Sequence, residues 1–78
     1  MNVRAVFHTL KVTDTKVFIV DEDGPMSVTN DAEAVVAYLN AWHPGKRIIY
    51  RDTAGFWDEL KHTNGRFDGF GPYSEELP

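Results

Sequence analysis

A chain of 78 residues, 42% hydrophobic and 26% charged, has the size and composition of one small globular domain. It has no cysteine, which excludes a disulfide scaffold and every thiolate metal site. Eight Lys and Arg against twelve Asp and Glu give a formal net charge of -4, which argues against the basic footprint of a DNA- or RNA-binding domain. The longest uncharged apolar run, Val17 to Val20, is too short to cross a bilayer, so no membrane association is expected. The opening residues MNVRAVFHTL lack the apolar core and cleavage site of a signal peptide, and small secreted domains usually need disulfide staples. The expected location is therefore cytoplasmic.

Residues 2–12 read as a first strand. Val3, Ala5 and Phe7 share one parity and Val6, Leu10 and Val12 the other, which predicts a bulge or a strand covered on both faces. After the polar break Thr13-Asp14-Thr15, residues 16–22 (KVFIVDE) form a second strand with a buried centre, paired with the first as an antiparallel hairpin. Asp23-Gly24-Pro25 ends it by turn chemistry. Asp21 to Gly24 has the look of a calcium loop, but Pro25 takes a ligand position and Glu33 falls one residue late, so no calcium site is expected. A helix starts near Asn30, the expected N-cap, with Glu33 completing a capping box and Asp31 favourable at the dipole's positive end. Ala32, Val35, Val36, Leu39 and Trp42 make its apolar stripe, and His43-Pro44-Gly45 stops it.

Lys46 to Asp52 is the third strand, with Ile48 and Tyr50 on one face and Ile49 on the other. Thr53-Ala54-Gly55 turns the chain into a fourth strand, Phe56 to His62. Thr63-Asn64-Gly65 is a hairpin turn, and Arg66 to Tyr73 is a fifth strand whose Gly69, Gly71 and Pro72 suit an edge. The order β-β-α-β-β-β predicts an α+β fold: a single antiparallel β-sheet with one helix packed across one face. Residues 1–73 form the domain and residues 74–78 a frayed acidic tail.

No catalytic or metal motif stands out. His8, His43 and His62 lack metal-ligand spacing, so no metal or other cofactor is expected, and each is read as a hydrogen-bonded structural residue. Ser27 and Ser74 fall in loops with no base beside them. Asp58 and Glu59 are adjacent and point to opposite faces of a strand, while Asp52 and Asp58 are expected in cross-strand ion pairs with Arg51 or Lys61. The chain is therefore read as a non-enzyme.

Two surface features remain. Asp21, Glu22 and Asp23 form an acidic stretch suited to a basic partner surface. The last three strands carry many aromatics, some of which must leave the helix side and lie beside basic residues. Aromatics with Arg are the usual anchors of protein interfaces, which nominates Arg47, Tyr50, Arg51, Trp57, Arg66 and Phe70. The alternative is a small single-stranded nucleic-acid-binding module stacking bases on Tyr50, Trp57 and Phe67 beside Arg47, Arg51 and Arg66, with the acidic total against it. An edge strand could also pair with a second copy, giving a homodimer.

Within the last three strands, Tyr50-Arg51-Asp52, a turn at Gly55, Trp57 to Leu60, the Asn64-Gly65 turn and Phe67 to Phe70 follow in order. This pattern resembles the C-terminal part of small uncharacterised accessory proteins of tailed bacteriophages. The resemblance covers about a third of the chain and carries no active site. It implies a phage-type protein, working in the host cytoplasm, that binds and inhibits or redirects a host protein.

Overall fold

A computed structural model of the chain describes residues 9–21 and 27–78. Residues 2–8 of the expected first strand, and the Asp23-Gly24-Pro25 turn, lie outside them. The described elements run β1 (Thr9–Val12), β2 (Lys16–Val20), α1 (Ala32–Trp42), β3 (Arg47–Arg51), β4 (Trp57–Thr63) and β5 (Arg66–Pro72). The strands build one sheet in sequence order. The fold is α+β, in the element order that the sequence predicts.

The sheet is mixed rather than antiparallel throughout. The β1–β2, β3–β4 and β4–β5 ladders are antiparallel, and β2–β3 is parallel. The helix is the reason. α1 carries the chain back along the sheet, so β3 starts at the same end as β2 and runs beside it in the same direction. The register of β1 on β2 shifts between Thr9 and Lys11, which locates the bulge implied by the switch of apolar parity.

α1 begins one residue later than the capping box requires. Asp31, rather than the expected Asn30, holds the N-cap position, with no side-chain cap bond of its own. A backbone turn leads in instead: the Asn30 and Asp31 N–H groups both donate to the Ser27 carbonyl, each at 3.1 Å. At the other end the Gly45 N–H donates to Asn40 Oδ1 at 3.0 Å, with Gly45 at φ 76°. Ala32, Val35, Val36 and Leu39 pack on Val17, Ile19, Ile48, Tyr50 and Leu60, with Val28 from the loop before the helix. Trp42 does not join this core. It lies about 60° round the helix from Leu39, is exposed, and sets its ring 6.3 Å from that of Tyr38.

The opposite face of the sheet is covered as well. Phe18, Ile49 and Tyr73 are buried there, with Trp57 packed against them. The Phe18 ring meets Trp57 and Tyr73 edge-on, at 5.8 and 6.0 Å. The β2 run KVFIV therefore serves two cores: Val17 and Ile19 face the helix, and Phe18 faces away from it. Residues 74–78, expected as a frayed tail, form no strand or helix. They are nevertheless anchored across this second face. Glu75 bonds Arg47, and the Tyr73 hydroxyl donates to the Glu76 carbonyl at 2.7 Å.

Candidate docking surface at the β3–β4 turn

The segment joining β3 to β4 is short and closely held. The Asp52 N–H donates to the Phe56 carbonyl at 2.8 Å, and the Gly55 N–H donates back to the Asp52 carbonyl at 2.9 Å. Asp52 Oδ1 then accepts from the N–H groups of Ala54 and Phe56, at 3.0 and 2.9 Å. This is the local turn chemistry for which Asp is selected, and Gly55, at φ 93°, supplies the left-handed step. The Phe56 N–H above all, helped by a bond from Asp58, holds the Asp52 carboxyl below its ordinary range. Burial first, then the hydrogen bond with Asp52, holds the Asp58 carboxyl above its own. Cross-strand ion pairing was the expectation here. Instead the two carboxyls face each other, and among the described residues neither Arg51 nor Lys61 forms a salt bridge with them. Asp52 thus braces the turn.

What this braced turn presents is Phe56, 70% exposed. Beside it, Arg51 on β3 stands directly across the ladder from Trp57 on β4. Arg51 is exposed and Trp57 half-buried. An open cleft of about 430 Å³ runs alongside, between Val20 and Asp21 at the end of β2 and residues 51–55. An exposed aromatic on a rigid turn loses little entropy on binding, and Phe, Trp and Arg side by side are typical of an interface anchor.

The structure scatters the other nominated residues. Asp21 is only 5% exposed, and its Oδ1 accepts the Val28 N–H at 2.8 Å. It is a structural brace for the chain entering α1 and not a surface charge, because an otherwise orphaned buried N–H needs that acceptor. Glu22 and Asp23 lie outside the described residues. Arg47 is held by two carboxylates. Its Nε and Nη2 donate to Glu59 at 3.1 and 2.7 Å, and Nη1 and Nη2 donate to Glu75 at 2.9 and 2.6 Å. The bonds to Glu59, then those to Glu75, raise the guanidinium's already high pKa, and Arg47 in turn holds Glu75 below the usual carboxylate range. Arg47 is therefore a clamp inside the fold and is not available as an anchor. Arg66 is exposed at the start of β5, opposite Thr63. Phe70 is exposed on the same strand, its ring 5.0 Å from Phe67 and 6.1 Å from Tyr50.

Tyr50 belongs to the core, 4% exposed beneath α1. Its parity with Ile48 places it there. Burial, then the nearby carboxylates of Asp58, Asp21 and Asp52, pushes the phenol up to about 12. Below an unfolded-state pKa of about 10, this shift leaves the folded state at no disadvantage. As pH rises from there through the folded value, the unfolded chain ionises first and stability falls. Tyr50 should resist ionisation in an absorbance titration until the chain unfolds, and Tyr50→Phe should remove that late step. A titration curve that Tyr50→Phe leaves without a lost late step would contradict this placement. Tyr50 and Phe67 pack into the helix-side core while Trp57 packs against the opposite face. The three rings therefore do not form one base-stacking platform.

His62 has a structural task. Its Nδ1 accepts the Gly65 N–H at 2.9 Å, which leaves Nε2–H to donate to the Lys46 carbonyl at 2.8 Å, tying the β4–β5 turn to the start of β3. Among the described residues no group of three His, Asp or Glu side chains is placed to hold a metal ion, and no helix is long and apolar enough to cross a membrane.

The sequence pattern does not single out Phe56. As the first residue of an expected strand it reads as one more alternating position, yet β4 begins at Trp57 and leaves Phe56 on the turn. Its place immediately after the turn glycine, with Asp52 four residues before, is the signal that marks it. Compared with protein-family models, curated proteins and solved structures, the chain matches none.

Proposed function

We propose that this chain is a non-enzymatic accessory protein of phage type that binds a host protein, docking through the β3–β4 turn with Phe56 as the anchor and Arg51 and Trp57 beside it. One observation carries the reading: the largest exposure among the large apolar side chains of the described residues, that of Phe56, occurs on a turn fixed by four hydrogen bonds. An exposed aromatic adds little to the fold, and a rigid mount lowers the entropic cost of binding. The resemblance of residues 47–73 to phage accessory proteins supports the phage origin and the host partner.

The test is a tagged capture from nuclease-treated bacterial lysate, run with the wild-type chain and with Phe56→Ala. The wild type should retain one protein in stoichiometric amount. Phe56→Ala should lose it, weakening binding by about 2 kcal/mol or more, roughly thirtyfold. Its stability should stay within about 0.5 kcal/mol of wild type, as for surface positions generally. Equal retention by the two proteins would refute the anchor. Retention that vanishes with nuclease treatment would transfer the function to nucleic acid.

A further inference from the structure

We infer that the outer face of α1 is an interface between two copies of this chain, which meet helix to helix about a two-fold axis. The inference is independent of the Phe56 anchor and concerns a different surface. From Ala34 to Gly45 the sequence has no Asp, Glu, Lys or Arg, in a chain that is 26% charged. A helix that buries one side normally carries charged and polar residues on the other. In α1 the buried side is Ala32, Val35, Val36 and Leu39, and the far side is apolar too. There Ala37, Ala41 and Trp42 are exposed, and Ala34 and Tyr38 are half-buried. Helix propensity alone accounts for exposed alanines. It does not account for an indole left 59% exposed, with its ring 6.3 Å from that of a tyrosine one turn earlier.

Shape and charge both select a second copy as the occupant. At about 100° per residue, Ala34, Ala37 and Ala41 form a shallow stripe opposite the buried side of α1, with Tyr38 and Trp42 along one edge of it. A two-fold axis passing between Ala37 and Tyr38 pairs two such helices antiparallel. Ala34 of each copy then lies against Ala41 of the other, the reciprocal contact of an isologous dimer. Small side chains at this crossing let the backbones approach closely. The two Tyr38–Trp42 pairs join into one aromatic row beside it, and the helix dipoles oppose each other favourably. Charge points the same way. Each chain carries a net -4, so two copies repel wherever acidic surfaces meet, and the outer face of α1 is a surface on which they do not. The β5 edge is a poorer route to a homodimer. Its ladder to β4 shifts register between Lys61 and His62, and Pro72 has no N–H to offer a new strand.

The experiment is sedimentation equilibrium on the full chain. One short helix supplies an interface at the small end of the specific range, so the dissociation constant should be about 10–100 µM. The mass should rise from 8.9 kDa towards twice that value as the concentration passes through this range. Added salt should not weaken the association, because it screens repulsion between two acidic chains and the contact itself has no ion pair to lose. Ala41→Glu sets a charge in the apolar crossing and should weaken the dimer at least about tenfold. Its circular dichroism and melting curve at low concentration should match wild type, since the position is exposed and Glu is a good helix former. Trp42→Ala tests the same face without adding a charge and should weaken the dimer as well. The proposal is overturned if the wild type stays at 8.9 kDa up to about 500 µM, well above the expected constant. It is equally overturned if the dimer survives either substitution unweakened.

Discussion

Phe18→Ala should destabilise the chain by about 3–5 kcal/mol, the range for removing a buried aromatic ring. Phe18 is 2% exposed although it points away from the only described helix. Its ring is enclosed edge-on by Trp57 and Tyr73, over Ile49 on the next strand, with the Arg47–Glu75 clamp closing the top. Truncation therefore removes the centre of the second core and leaves its neighbours facing a hole, a cost above that of lost transfer alone. In urea denaturation the midpoint should fall while the slope stays near that of wild type. A loss below about 1 kcal/mol, typical of a surface site, would mean that this face is open to water and that the C-terminal segment does not cover it.

Leu60→Ala should cost about 2–5 kcal/mol from the other side of the sheet. Leu60 is fully buried, sits between Ile48 and Phe70 in the ladders of β4, and packs in the core under α1. For a domain of this size, a loss of 3 kcal/mol lowers the melting temperature by roughly 12–24 °C. A small domain has a total stability of order 5–10 kcal/mol, so either substitution removes a large part of it. Phe56→Ala, which deletes as many atoms as Phe18→Ala, should leave the melting curve almost in place, because its ring is already in water. The two phenylalanines together separate burial from composition: equal effects would contradict the assignment of one to the core and the other to the docking turn.

Much of the fold is legible in local pattern. The period of Ala32, Val35, Val36 and Leu39 marks the buried face of α1, and these four are the helix's buried residues. Asn64 and Gly65 both take positive φ, 52° and 87°, as a tight hairpin turn requires, so the β4–β5 pairing follows from two residues. The parallel β2–β3 ladder is less visible, because alternation gives the faces of a strand and not the direction of its neighbour. Asp21 shows a different limit. A carboxylate at a strand end looks like surface charge, and what buries it is a backbone N–H seven residues on, at Val28. Arg47 and Glu75 lie 28 residues apart, so no spacing rule connects them. Arg51 and Trp57 stand together because their register follows from the turn between them. Tyr50 is core rather than interface; its parity with Ile48 is legible in the sequence, but which face the helix covers is not.

The most direct test of the proposed docking turn is amide hydrogen exchange on the chain alone and in complex with whatever protein the lysate capture retains. New protection confined to residues 51–57, with α1 and β5 unchanged, is the predicted footprint. Protection over α1 or β5 with residues 51–57 left as in the free chain would contradict the assignment of the β3–β4 turn as the docking surface.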